Sequence, residues 1–185
     1  MKLSLIIAAL RLRCRTFEGR VAGAAEFKPI PEAAKMKLPA AYVIPLDDNV
    51  GENKSQTDYW QDVTDGFAVI IVANNVDEKG QAATYDAVHT LRAEIIRALV
   101  GWQPEPDYNP IQYEGGNLLD IDRARLYYQF EFSARFELGE EDTRQWDDLQ
   151  ALSELNNIDI KVDFIEPGDG PDGRIEHHLN IQTSE

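Results

Sequence analysis

Hydrophobic residues recur along this chain with the two spacings that define strands and helices. The clearest pattern is a strict alternation over the fourteen residues 125–138. A repeat of two predicts one long strand with a core face and a polar face. Because strands usually run about five or six residues, we expect this one to extend beyond the core of its domain. Its apolar members are Leu126, Tyr128, Phe130, Phe132, Ala134, Phe136 and Leu138.

Other segments predict further strands. The uninterrupted apolar run Phe67–Ala73 is typical of a central strand buried on both faces. Pro45 in the segment 40–46 indicates an edge position or the end of a strand. A hairpin turn is predicted at 114–117, between strands at 111–113 and 118–121. The remaining predicted strands are 20–22, 158–165 and 174–182, the last two joined by the turn-rich loop 167–173.

Helical spacing occurs in three places. Leu3, Ile6, Ile7 and Leu10 share one helix face, and residues 81–100 form the clearest helix, which Gly101 ends. A third helix is predicted at 143–155, and one helical turn at 32–37. The first segment is far shorter than the ~20 residues that span a bilayer, and arginines follow where a signal peptide would have its cleavage site.

These elements predict an α/β (α+β) fold, with a mixed, mainly antiparallel sheet flanked by helices. We expect residues 1–139 to form one domain. Residues 140–185 are expected to form an acidic extension, a helix and a β-hairpin packed on the same domain.

Charge is distributed unevenly. The 185 residues include 18 Lys and Arg against 33 Asp and Glu, a net charge of -15. Residues 1–40 carry eight basic and three acidic residues, a net of +5, so the other residues carry -20. This excess opposes sequence-independent binding to nucleic acid or to an anionic membrane. Either it keeps the protein soluble, or the basic and acidic ends serve self-association or repulsion of a polyanion.

Motifs of phosphate-binding loops, metalloproteases and serine hydrolases are missing from the chain. Cys14 lies among arginines, which would lower its pKa, but a Cys–His pair with His89 is unsupported. His89 is interpreted as a packing residue beside the apolar face of its helix. The most plausible carboxylate pair, Asp120 with Asp122, is more typical of solvated surface.

Metal binding has weak support. His177 and His178 are adjacent in a predicted strand and therefore point to opposite faces. One of them with Glu176 or Asp172 is the best metal site available, and Asp169 with Asp172 lacks the calcium-loop pattern. We therefore predict no enzyme activity, no metal and no cofactor.

The order of features resembles the tail terminator (tail completion) proteins of long-tailed bacteriophages, particularly the Mu-like and siphophage group. The resemblance covers about residues 5 to 138 and rests on structural motifs. They are Arg20–Ala25 (RVAGAA), Pro39–Leu46 (PAAYVIPL), Arg97–Pro104 (RALVGWQP), Tyr113–Asp122 (YEGGNLLDID) and the strand Tyr128–Leu138.

This resemblance implies a homo-hexameric ring that caps the tail tube, ends its polymerisation and offers a surface for head–tail joining. The implied partners are the tail tube protein, the neck or head–tail connector proteins and the sheath or its terminus. Genomic DNA would pass through the pore without specific binding, and no membrane is involved. The protein would be made and assembled in the bacterial cytoplasm and reside in the virion, at the tail–neck junction.

A polar loop of about thirteen residues (47–59) is the candidate for contact with the tube or a neighbouring protein, since long loops on a sheet commonly carry binding functions. Its candidate residues are Asp47, Asp48, Asn49, Glu52, Lys54, Gln56 and Asp58.

The leading alternative is a neck or head–tail connector subunit of the same assembly. A small enzyme using His177, Asp172 or Cys14 and a monomeric acidic binding module are the other classes.

Overall fold

The alternating segment forms a strand, β6 (Arg125–Leu138), which pairs antiparallel with β4 (Gln61–Asn74) along its whole length. The computed structural model describes residues 1–26, 37–75, 81–153, 155–163, 173, 175 and 177–183. The chain divides into two compact units, Met1–Glu140 (unit 1) and Glu141–Glu185 (unit 2).

The other strands of unit 1 are β1 (Val21–Gly23), β2 (Ala40–Pro45), β3 (Asn49–Val50) and β5 (Gln112–Ile121). With β4 and β6 they form a six-stranded mixed sheet in the order β1-β2-β4-β6-β5, and β3 pairs with β4. The parallel pair in this order is β1 with β2. The α-helix α1 (Leu3–Arg13) precedes β1, and α2 (Gln81–Leu99) lies between β4 and β5 in the chain.

One face of the sheet packs on α1 and α2. Phe67 and Phe132 are register partners whose ring centroids are 5.4 Å apart, in the middle of this layer. The spacing predicted for α1 is confirmed, because Ile6 and Leu10 are fully buried. Among the α2 side chains that the structure describes, the buried ones are Val88, Leu91, Ile95, Ala98 and Leu99. The core also contains Phe17, Val43, Val69, Ile71, Val88, Ile95, Leu99, Ile111, Leu126 and Phe130.

The opposite face of the sheet is also buried near its centre. Tyr42, Ile70, Val72 and Tyr127 form a second cluster there. The expectation that Phe67–Ala73 is buried on both faces is therefore confirmed. Tyr127 had been assigned to the polar side of the long strand, and its burial is the exception to that alternation.

Two predictions around this sheet need correction or refinement. The hairpin turn predicted at 114–117 is wrong, because β5 runs through it as one strand with register shifts at 113/115 and 118/120. A Cβ on Gly116 would lie 2.9 Å from Tyr128 Cε1, so the glycine serves close strand packing rather than a turn. Pro45 marks the end of β2, which has β1 and β4 on its two sides.

Unit 2 contains α3 (Arg144–Gln150) and a hairpin of β7 (Asn157–Val162) and β8 (His177–Gln182). Thr143 caps α3, its side chain accepting a hydrogen bond from the Trp146 amide. The predicted helix reached residue 155 and was too long. The later leucines, Leu152 and Leu155, are exposed. Further helical turns would therefore gain no stabilisation from burying apolar side chains.

The predicted fold class is confirmed: a mixed, mainly antiparallel sheet with helices, followed by a helix and a β-hairpin. The predicted turn within 32–37 and the loop 167–172 lie outside the described residues, apart from Lys37. Asp169, Asp172 and Glu176 also lie outside them. That residues 140–185 pack on the same domain stays a prediction.

Candidate functional site

The predicted polar loop leaves β2 and returns to the sheet at β4. We call residues 47–60 the contact loop. Its first part is tied to the sheet, because β3 pairs with Thr64 and Val63 of β4. At its base the Leu46 amide donates to the Gly66 carbonyl at 3.0 Å. The loop therefore starts from a fixed position on the longest strand pair of unit 1.

The middle of the contact loop is folded by its own hydrogen bonds. Asn53 Oδ1 accepts from the amides of Ser55 and Trp60, at 3.2 and 3.0 Å. The Lys54 amide donates to the Trp60 carbonyl at 2.8 Å. These bonds close residues 53–60 into an arch, so the loop has a defined shape.

A charge cluster joins the arch to the sheet. Lys54 Nζ lies 2.6 Å from Asp62 Oδ1, and an Arg135 guanidinium nitrogen lies 2.5 Å from the same oxygen. The hydrogen bond from Lys54, followed by that from Arg135, lowers the pKa of Asp62 below its usual value. Lys54 Nζ also lies 4.8 Å from the centroid of the Trp60 ring. The cluster therefore orients an aromatic ring and a cation together.

The contact loop exposes large apolar side chains beside its polar ones. The accessible fractions of Val50, Tyr59 and Trp60 are 51%, 38% and 46%. Partly exposed tryptophan and tyrosine next to charged groups are typical of protein–protein contact surfaces. This chemistry suits docking against another protein.

The structure places all seven sequence-predicted site residues at the surface, and it gives them unequal roles. Lys54 belongs to the charge cluster, and Asp58 belongs to the arch through its amide, which donates to Ser55 Oγ at 3.0 Å. Asn49 lies in β3. The exposed residues are Asp47, Asp48, Asn49, Glu52, Lys54, Gln56 and Asp58.

Four residues that matter most for the geometry were absent from the predicted site. They are Asn53, Trp60, Asp62 and Arg135. Trp60 had one available signal: a tryptophan at the boundary of a polar loop is often an interface residue. Arg135 had none, since it is 73 residues from Asp62 in the chain.

Cys14 was expected to have a lowered pKa, and this expectation is wrong. The residue ends α1 and is fully buried. Burial, with a smaller contribution from the Glu94 charge, raises the pKa of Cys14 from 9.0 to about 12. The thiol is therefore neutral and shielded near neutral pH, the opposite of an activated nucleophile.

His89 differs from expectation, whereas Asp120 and Asp122 are exposed, as expected. His89 is exposed, and its Nδ1 lies 2.8 Å from an Arg92 nitrogen, so it is not a packing residue. Asp122 lies beyond the end of β5, and its Oδ1 accepts from the amides of Ala124 and Arg125 at 2.6 and 2.7 Å. Asp120 Oδ1 accepts from the Ile121 amide at 2.8 Å. Both carboxylates thus serve as acceptors for the backbone.

Among the described residues, no three His, Cys, Asp or Glu side chains are grouped so as to hold a metal ion. His178 contacts Asp159 across the hairpin, and His177 is the register partner of Val162. No helix within the described ranges is long and apolar enough to cross a membrane.

Unit 1 thus combines a mixed sheet, packed on two helices, with an exposed loop that is folded by its own hydrogen bonds. The phage tail terminator protein family matches residues 1–144, and this chain belongs to that family. The protein is therefore a non-enzymatic structural component of the tail of a phage-like virion, and its partners belong to tail-tube assembly.

Other comparisons add little. No curated protein sequence matches the chain. Among solved structures it is similar to a chain of the "Virion of native gene transfer agent (GTA) particle", at 15% identity and a TM-score of 0.45. That match covers 72% of this chain and 92% of the other.

Proposed function

We propose that this tail terminator caps the tail tube as a hexameric ring and that the contact loop touches the end of the tube. The observation that carries the proposal is the arch at residues 53–60, which presents Trp60 and Lys54 in a fixed arrangement. The opposite side of the ring would face the neck or head–tail connector proteins. In a contractile tail the sheath or its terminus would be a further partner.

A folded loop suits this role on energetic grounds. Ordering a side chain at an interface costs about 0.5–1.5 kcal/mol, and Lys54 is already held by Asp62 before any partner binds. The arch removes a further part of that cost from the backbone of residues 53–60. A cap that must recognise the end of a tube gains from this because its contact shape exists beforehand.

The ring requires a heterologous interface that closes after six copies. The uneven charge of the chain supports such an interface, because a segment with a net of +5 and a remainder with -20 provide complementary surfaces. Genomic DNA would pass through the pore without specific binding, since the acidic excess repels phosphate.

The test is complementation of a phage that lacks its terminator with the Trp60→Ala variant. We expect overlong tails in electron micrographs and loss of binding to purified tail tubes in sedimentation. Leu119→Ala is the matched control, since Leu119 in β5 is 43% exposed, close to the 46% of Trp60. The control should give tails of normal length.

The phenotype also separates the proposal from the neck connector alternative. If the protein ends polymerisation of the tail tube, a phage that lacks it should have overlong tails. Normal-length tails left unattached to full heads would instead indicate a connector and would overturn the capping proposal. If the null phage has overlong tails but Trp60→Ala gives tails of normal length, the proposed role of the contact loop is wrong and the capping proposal stands.

A further inference from the structure

Unit 2 contains a two-stranded sheet with one apolar face. In the β7–β8 register Ile158 is opposite Ile181, and Ile160 is opposite Leu179. Side chains two residues apart share a face of a strand, so these residues and Val162 lie on one side of the hairpin. We call this side the hairpin apolar face: Ile158, Ile160, Val162, Leu179 and Ile181.

Within the residues that the structure describes, the side chains of the hairpin apolar face are exposed to solvent. The five side chains are 36% to 54% accessible, although every one is an aliphatic residue. An isolated two-stranded hairpin is marginally stable in water, and its stability normally comes from burying such a face against another element. A run of five exposed aliphatic residues is therefore typical of an interaction surface.

A second uncovered apolar surface lies on unit 1, between the two helices. This α1–α2 groove has a volume of about 630 Å³. Leu12 and Val100 at its edge are 79% and 40% exposed. The lining also includes Ala8, Ala9, Arg13, Arg97 and Trp102.

The groove and the unit that carries the hairpin have opposite charge. The lining of the α1–α2 groove includes two cations, Arg13 and Arg97, and no acidic residue. In the part of the chain that the structure describes, neither arginine forms an ion pair. Residues 141–185 contain twelve acidic and three basic residues, a net of -9. An apolar face carried by an acidic unit therefore suits an apolar groove lined by two cations.

We propose that the hairpin apolar face of one copy docks on the α1–α2 groove of the neighbouring copy in the ring. This proposal rests on the proposed ring. Each subunit donates its hairpin to one neighbour and receives the hairpin of the other, which is the head-to-tail arrangement that a closed ring requires. Burial removes the aliphatic side chains from water, and the arginines select the acidic unit as the occupant of the groove.

Photo-crosslinking tests this docking directly. Leu12 of the full-length chain is replaced by the photoreactive residue p-benzoylphenylalanine, and this chain carries natural nitrogen (light). It is mixed with the wild-type chain labelled with nitrogen-15 (heavy). The mixture is assembled on purified tail tubes, irradiated and digested for mass spectrometry. We expect a light peptide containing position 12 joined to a heavy peptide from residues 144–183. Crosslinks only between two light peptides of one chain, crosslinks to another protein, or none at position 12 would overturn the proposal.

Charge reversal gives an independent measurement. The Arg13→Glu, Arg97→Glu double variant should bind tail tubes on the order of tenfold more weakly and with reduced cooperativity. A matched control is Arg15→Glu, an exposed arginine that does not line the groove. Circular dichroism checks that both remain folded. Equal binding by the double variant and the control would contradict the docking.

The hairpin side has its own matched pair of variants. Ile160→Thr with Leu179→Thr makes the apolar face polar with a β-branched residue that suits a strand at both positions, and should remove the crosslink and the cooperativity. Asn157→Thr with Gln182→Thr changes a register pair on the opposite face and should leave both intact. If wild-type protein fails to bind tubes at all, the capping function is wrong. If it caps tubes without the crosslink, the docking alone is wrong.

Discussion

Gly66 is the residue at which the base of the contact loop comes closest to the sheet. A Cβ at this position would lie 2.9 Å from the Asp47 carbonyl oxygen and 3.2 Å from Leu46 Cβ. Because one of these atoms is backbone, a side chain at position 66 forces the loop away from β4. The glycine therefore couples the position of the loop to the register of the strand.

Gly66→Ala should accordingly lower the free energy of unfolding by about 1 to 3 kcal/mol, the usual cost of overpacking. Denaturant unfolding measures the loss. Gly51→Ala is the matched control inside the contact loop, since its Cβ would lie at an ordinary 3.6 Å from the Asp62 carbonyl. Equal stability of the two variants would contradict the proposed close approach.

Cys14 leads to a second prediction at this scale. Because burial raises its pKa to about 12, iodoacetamide at pH 8 should modify it only as fast as the protein unfolds. Leu12→Cys in a Cys14→Ala background places the thiol on an exposed position of the same helix and should react at once. Fast reaction of wild-type Cys14 would contradict its burial.

The same raised pKa makes stability depend on alkaline pH. Above pH 9.0, the ordinary value, the unfolded chain loses the thiol proton while the folded chain keeps it up to about 12. The contribution of Cys14 is therefore complete below pH 9.0 and declines as pH rises through that interval. The neighbouring arginines had suggested a pKa shift of Cys14 in the opposite direction, because the sequence shows nearby charges and does not show burial.

Among the elements, the turn between β5 and β6 depends on Asp122, whose carboxylate accepts two backbone amides. Asp122→Ala should therefore lower the free energy of unfolding by about 1 kcal/mol. Asp120→Ala is the matched control, since this carboxylate accepts from the adjacent Ile121 amide within β5 and does not bridge the turn. Denaturant unfolding compares them, and an equally large loss from Asp120→Ala would show that the turn does not depend on Asp122.

How well each element could be predicted follows from how local its cause is. Alternation over residues 125–138 predicted β6 to the residue because one face of the strand packs into the core with α1 and α2, where Phe130, Phe132 and Ala134 are buried. The two glycines at 115 and 116 were interpreted as a turn, whereas Tyr128 and Phe130 pack over Gly116 from the neighbouring strand. Contacts between strands are not visible in a local pattern.

The contact loop shows the same division. Its length and polarity predicted an exposed segment, and all seven named residues are exposed. The arch around Asn53 and the pairing of Asp62 with Arg135 require atoms from distant parts of the chain. Sequence therefore indicated where a surface lies and left its internal geometry open.

At the scale of the whole molecule, acidity is shared unequally between the units. Unit 2 has a net of -9 over 45 residues, which leaves -6 for the 140 residues of unit 1. Unit 1 contains the basic first segment with its net of +5. A molecule with this distribution opposes the binding of polyanions as a whole, and the α1–α2 groove is the surface that we propose to bind an acidic unit.

This distribution leads to a prediction about DNA. Binding to duplex DNA depends on cations that replace the counterions of phosphate, and a net charge of -15 opposes that exchange. Micromolar protein should therefore leave linear duplex DNA unretarded in a gel at about 50 mM salt, where electrostatic binding is strong. The Arg13→Glu, Arg97→Glu variant is the control and should behave identically.

Retardation of the DNA at low salt that is lost at about 200 mM salt would contradict this expectation. If the charge-reversed variant lost that retardation, the α1–α2 groove would be a phosphate-binding surface, because its two arginines would be the cations responsible. DNA and the acidic unit of a neighbouring copy would then compete for the groove. Absence of retardation in both proteins leaves the arginines available for protein contacts, as the proposed ring requires.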